Sequence, residues 1–221
     1  MKKFPYSFVA SEADELHCFQ AAFRMTWEAL TCEQLSLARG DALTGFRDGM
    51  QTWPFAGMLA FASRGLRVCN IEDFRADDFA RDPVAEIRRQ IQDPDVAQFV
   101  IDESDLEQER RRVEDCIASE NVSFVERVPE MADLRKALYS PATMVIVNVN
   151  YRALNGADGY YGHFVLPVAA VDGYVAFQDP GPPPSPAARV SEEVFVKAWR
   201  SADGNAANLL VVSSTVSATD G

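Results

Sequence analysis

The chain is poor in the residues on which much enzyme chemistry depends. Of its 221 residues two are histidine and four are cysteine, so any histidine-dependent reaction must use His17 or His163. Positive charge is also scarce, with 21 Lys and Arg against 33 Asp and Glu, a net charge of −12 and an isoelectric point near 4.6. The longest basic block is Arg110-Arg111-Arg112. A nucleic-acid phosphate backbone calls for a positive face, so nucleic acid is not an expected partner. No apolar run approaches the roughly 20 residues that span a bilayer. The opening Met-Lys-Lys leads into a broken, acidic stretch rather than the apolar core of a signal peptide. These features predict a cytoplasmic protein with no membrane association. Cys18, Cys32, Cys69 and Cys116 lack the close spacing of a metal site or a disulfide framework, so four thiols, no metal and no cofactor are expected.

The composition, 48% hydrophobic and 10% aromatic, is that of a folded chain rather than a disordered one. The length suits a single domain, 1–214, with a frayed tail over 215–221. Apolar residues at helical spacing mark 19–30, placing Cys18 at the positive end of a helix dipole. Further helices are expected over 33–39, ending at Gly40, and from Pro54 to Gly65. Another starts at Asp82-Pro83, and a long acidic one covers 95–120, broken near Ser104, with its charges on a solvated face. A last pair covers 129–139 and 192–200, the latter capped by Ser191. Trp27, Trp53 and Trp199 read as core anchors.

Strands are expected over 66–71, 122–128, 143–149, 164–171, 174–178 and 209–213, with a proline-rich loop over 180–186. Asp172-Gly173 between two apolar runs is a strong hairpin signal. Helices come first and a largely antiparallel sheet second, which makes the fold class α+β.

A cysteine at a helix N-terminus is stabilised as thiolate, and an imidazole able to take its proton completes the minimum for a cysteine nucleophile. His163 opens the strand before the Asp172-Gly173 hairpin and Asp179 ends the strand after it. An antiparallel ladder therefore brings them to the same end of the sheet, where a carboxylate can orient the imidazole. Taken singly, each residue has a plainer role: Cys18 a core thiol, His163 a satisfied polar group, Asp179 turn chemistry. Their order and element types together favour a catalytic set. His17, beside Cys18 but pointing elsewhere on a helix, reads as a solvated or N-cap neighbour.

The segment Gly162-His163-Phe164-Val165-Leu166-Pro167-Val168, the hairpin Asp172-Gly173-Tyr174-Val175, the Asp179-Pro180-Gly181 end and the helix Val194-Phe195-Val196-Lys197-Ala198-Trp199 resemble the C-terminal half of the bacteriocin-processing cysteine peptidases. These are papain-like enzymes that cut leader peptides after a double glycine. The helix Cys18-Phe19-Gln20-Ala21-Ala22-Phe23-Arg24-Met25 is similar, more loosely, to their nucleophile helix. The resemblance covers both ends of the chain and leaves 33–120 unexplained. It implies a papain-like fold with Cys18 as nucleophile, His163 as general base and acid, and Asp179 as its orienting partner.

Two positions depart from the family pattern. Phe19 follows the nucleophile where the family usually has glycine. Glu12 stands where the family has a glutamine whose amide helps form the oxyanion hole, a place where a carboxylate would repel developing negative charge. Gln20 or the Cys18 backbone N–H are candidates to take over that role. The expected activity is hydrolysis of a peptide, amide or thioester carbonyl by a stand-alone enzyme, since the exporters' membrane and nucleotide-binding domains have no counterpart in the sequence. An acyltransferase or amide-forming enzyme would use the same acyl-cysteine, with a peptide or acyl-carrier substrate. A degenerate peptide-binding protein would retain the fold without the chemistry.

Overall fold

A computed structural model describes residues 6–11, 16–200 and 207–214. Glu12 and the tail 215–221 lie outside them. Among the described residues the chain forms α1 (Cys18–Thr31), α2 (Leu37–Thr44), α3 (Phe55–Ser63), β1 (Arg67–Glu72), α4 (Ala76–Arg81), α5 (Pro83–Gln90), α6 (Pro94–Asp102) and α7 (Leu106–Ala118). It continues with β2 (Val122–Glu126), α8 (Met131–Tyr139), β3 (Thr143–Asn150), α9 (Tyr151–Leu154), β4 (Gly162–Val171), β5 (Tyr174–Asp179), β6 (Ser185–Ser191), α10 (Glu192–Trp199) and β7 (Asn208–Ser213).

The fold is α+β around one seven-stranded mixed sheet, in the order β2-β1-β7-β3-β4-β5-β6. Only β1 and β2 run parallel. A parallel pair needs a crossover, and α4 to α7 supply it. That is the structural role of much of the acidic middle of the chain.

Period-two alternation divides the strands between two cores. Met144, Ile146, Phe164, Leu166, Leu210 and Val212 face α1, α3 and the crossover helices. Val145, Val147, Val149, Val165 and Leu209 face α8 and α10. Trp27 and Trp199 are buried, one in each core. The sheet is thus covered on both faces.

Two elements differ from the sequence reading and a third follows it. Gly40 lies inside α2, which runs from its Ser36 cap to Gly45. A Cβ at Gly40 would come within 2.9 Å of the Arg24 side chain, so this glycine serves a close helix approach rather than a helix stop. The acidic stretch divides into α6 and α7 at the expected place: Ser104 Oγ donates back to Val100 O and Asp105 caps the next helix. Ser185–Ser191, expected in part as loop, is strand β6. It is the edge strand, where a proline such as Pro186 is tolerated.

Candidate active site

Cys18 opens α1, whose first intrahelical bond runs from Ala21 N–H to His17 O. The N–H groups of residues 18 to 20 precede the helical ladder and have no acceptor within the helix, so the thiol sits at the positive end of the dipole. Phe19 fixes this end in place. Its fully buried ring packs on Phe164 of β4, with centroids 4.8 Å apart, and presses on Gly57 of α3. Cys18 and His163 each precede one member of that aromatic pair, so the packing of Phe19 on Phe164 brings them together. The Phe164 N–H lies 3.5 Å from the Cys18 sulfur.

On β4, His163 N–H donates to Asn148 Oδ1, and Asn148 N–H donates to Asn208 Oδ1. This chain of side-chain acceptors ties β7, β3 and β4 together beneath the site. The imidazole Nε2 lies 2.7 Å from Asp179 Oδ1, an oxygen that also accepts the Gly181 N–H at 2.9 Å. The Tyr151 ring meets the imidazole edge-on at 5.1 Å, and its hydroxyl donates to Pro182 O. Gly181 has φ +79°, and a Cβ there would collide with Pro184 N at 2.2 Å, so the loop that returns to Asp179 requires glycine.

Asp179 reaches the correct face through an irregularity in the hairpin. Above it the paired residues are Val171 with Tyr174, Ala170 with Val175 and Ala169 with Ala176; below it they are Pro167 with Phe177 and Leu166 with Gln178. Val168 is the extra residue. Without this bulge Asp179 would align with Leu166, on the face turned to the α1 core. With it, the next pair in register sets Asp179 opposite Val165, and Val165 shares a face with His163.

Electrostatics follow from this enclosure. His163 is only 2% exposed. Burial lowers its pKa, but the hydrogen bonds from Asp179 and Cys18 and the charges on both outweigh it and push the imidazole up to about 9. With Nε2 committed to Asp179, Nδ1 is the nitrogen left for Cys18. Burial pushes Cys116 up to about 12, deep between α7 and α3, where its sulfur faces Phe55 O. Two cavities flank the Cys18–His163 pair. One of about 400 Å³ is lined by Tyr151, Arg152, Asn155, Tyr161 and His163. The other, of about 370 Å³, is lined by Leu16, Cys18, Gln51, Asn148, Tyr161 and Phe164.

The structure therefore brings Cys18, His163 and Asp179 together. It does not bring Gln20 to them. Two residues along a helix turn a side chain about 200° around the axis, and the Gln20 amide donates instead to Thr44 Oγ1 of α2 at 3.1 Å. Glu12 lies outside the described residues, which leaves the N–H groups at the start of α1 as the described donors nearest the sulfur in sequence. His17 occupies the N-cap position, but it is buried rather than solvated: its ring lies 4.0 Å from that of Phe46 and its Nε2 3.5 Å from Asp41. Among the described residues no three His, Cys, Asp or Glu side chains converge as metal ligands, and no helix is long and apolar enough to cross a membrane. Asn148 and Tyr151 were not singled out from the sequence. An Asn in the middle of a β-branched run, where an apolar residue is the norm, was the one signal available for the first.

No family model matches the chain, and no curated protein matches it. Among solved structures it is similar to the peptidase domain of Streptococcus ComA, described as a bifunctional ABC transporter of a quorum-sensing pathway. The TM-score is 0.51 at 11% identity, over 95% of this chain and 99% of that one. At that identity the likeness speaks for the fold, and the fold of this chain is that of a papain-like cysteine peptidase domain.

Proposed function

We propose that the protein is a papain-like cysteine hydrolase acting on a peptide or amide carbonyl through Cys18, His163 and Asp179. The observation that carries this reading is one buried imidazole held between two partners, with Asp179 Oδ1 2.7 Å from Nε2 and the Cys18 thiol on its other side. Asp179 holds the proton on Nε2, and the raised imidazole pKa places the thiol proton on Nδ1 before attack, so Cys18 meets the carbonyl carbon as a thiolate paired with imidazolium. The same nitrogen then gives that proton to the leaving amine. Water, deprotonated by His163, resolves the acyl-cysteine and frees the acid and the thiol. Developing oxyanion charge is met by the N–H groups at the start of α1.

The test is cysteine labelling. Chloroacetamide should modify Cys18 much faster than exposed Cys32 or buried Cys116, and His163→Ala should abolish the advantage. Equal rates at Cys18 and Cys32 would overturn the proposal. Should Cys18 prove reactive, turnover of a peptide thioester with and without added amines separates hydrolysis from acyl transfer.

A further inference from the structure

Next to the Cys18 cavity lies a narrower recess of about 120 Å³. The two share the walls made by Thr52, Val100, Asn148, Tyr160 and Phe164, so a chain lying across Cys18 can reach into it. Aromatic rings of Trp53, Phe55 and Phe74 form part of the recess, and Glu72 and Gln90 supply its acidic and polar lining.

Glu72 is unusual among the acidic residues of this protein. One carboxylate oxygen accepts from Asn70 Nδ2 and the other from Gln90 Nε2, each at 3.0 Å. Both donors are neutral, and Glu72 forms no ion pair among the described residues. The neighbouring guanidinium, Arg89, is committed elsewhere, to Glu86 at 2.7 Å and to Asp73. Glu86 and Asp73 add negative charge around Glu72. Asn70 Oδ1 is buried and has no hydrogen-bond partner. The recess thus combines an uncompensated carboxylate with aromatic walls. Aromatic faces attract a cation and accommodate the aliphatic stem of a long basic side chain, while the carboxylate binds its head.

We propose that this recess is a subsite for a lysine or arginine side chain of the peptide whose carbonyl is presented to Cys18. The proposal rests on the peptide-hydrolase reading above and names the substrate class it would select. Leu16, Phe99 and Tyr161, which are exposed apolar residues, surround the approach, so the segment flanking the basic residue contacts apolar surface. Leu16 and Tyr161 line the Cys18 cavity itself, as does Phe99.

Binding is read without turnover by titrating fluorescent octapeptide libraries into Cys18→Ala protein, with one position at a time fixed as arginine, citrulline or glutamate. Citrulline matches arginine in shape and lacks its charge. At one position arginine should bind roughly ten-fold tighter than citrulline, and glutamate most weakly; the added Glu72→Gln change should bring arginine and citrulline within about two-fold, chiefly by weakening arginine. No arginine preference at any position, or a preference that survives Glu72→Gln in a protein with an unchanged melting transition, overturns the proposal. The arginine-to-citrulline comparison uses the intact recess, so it decides the matter even if Glu72→Gln does not fold. Labelling of Cys18 is measured separately. An unreactive Cys18 with an intact arginine preference discards the hydrolase reading alone, and a reactive Cys18 with no preference discards the subsite alone.

Discussion

Asp179→Asn separates the orienting role of this residue from simple packing. The substitution preserves shape and an oxygen able to accept the Gly181 N–H, but it removes the charge 2.7 Å from His163 Nε2. In the native protein His163 rises from 6.5 to about 9, because its partners outweigh burial. The stabilisation this represents is complete below pH 6.5 and is lost as pH rises through 9. At about 1.4 kcal/mol per tenfold change it amounts to about 3 kcal/mol. With that charge gone only Cys18 opposes burial, and the imidazole pKa falls. Asp179→Asn should therefore destabilise the fold by about 1–3 kcal/mol more at pH 6 than at pH 10, read from urea unfolding at both values. Because Asp179 Oδ1 meets both Nε2 and the Gly181 N–H, the amide oxygen keeps that place and the proton stays on Nε2; what is lost is the charge that favours imidazolium. Labelling of Cys18 near pH 7 should slow by roughly 10- to 10²-fold, the effect of one to two pK units on the paired thiolate. A destabilisation equal at the two pH values, together with unchanged labelling, would show that His163 and Asp179 do not act as a pair.

Three further outcomes follow from the same geometry. Phe19→Ala empties the fully buried seam between α1 and β4 and should cost about 3–5 kcal/mol in urea unfolding, with slower labelling of Cys18; a cost below about 1 kcal/mol would mean the seam does not hold the site. Gln20→Met removes one bond to Thr44 and a carbonyl oxygen that is buried without a partner; stability should change by no more than about 1 kcal/mol and labelling of Cys18 not at all, whereas a large loss of labelling would restore Gln20 to the oxyanion site. Burial, assisted by Glu86 and Asp73, pushes Glu72 up to about 7, so its contribution to stability is present below about 4.5 and lost as pH rises through 7. Glu72→Gln should thus be about 1–3 kcal/mol more favourable relative to the native protein at pH 8.5 than at pH 4.5, and a difference independent of pH would refute the assignment.

The sequence displays the strands well because their side chains alternate between two apolar cores. β3, β4, β5 and β7 are found within one or two residues of the expected spans, and the Asp172-Gly173 turn is where it was expected. The helix at Cys18 is equally legible from its apolar spacing. Its neighbour α2 is not, because Gly40 has the same signature whether it ends a helix or lets Arg24 pass close by, and only the tertiary contact decides. β6 is hidden for a related reason: prolines that would interrupt a central strand are harmless at an edge. The one mark of the hairpin bulge in the sequence is Pro167, a proline inside a strand paired on both sides, where it is tolerated beside an irregularity. Simple counting puts His163 and Asp179 at one end of the sheet, but the extra residue is what turns Asp179 to the face of His163. A one-residue slip would have separated them completely.

The sequence resemblance leaves the segment from Glu33 to Glu120 unexplained, whereas the structural likeness covers 95% of the chain, and this segment forms part of the wall around Cys18. Gln51, Thr52, Phe99 and Val100 all line the Cys18 cavity, and Glu72 and Gln90 line the recess beside it. α1, β4 and β5 hold Cys18, His163 and Asp179, whereas the crossover and the strands it joins build the opposing wall. A wall of that kind sets which side chains can lie beside Cys18 and, on the proposed reading, does so without changing the chemistry at the sulfur. If the cation subsite is correct, selectivity resides in the crossover and the strands it joins, apart from the elements that carry Cys18, His163 and Asp179. The division is physically reasonable: a triad of the proposed kind tolerates little displacement, because each partner must stay within hydrogen-bond reach, whereas a crossover connection can be rebuilt as long as its apolar stripe continues to cover the sheet.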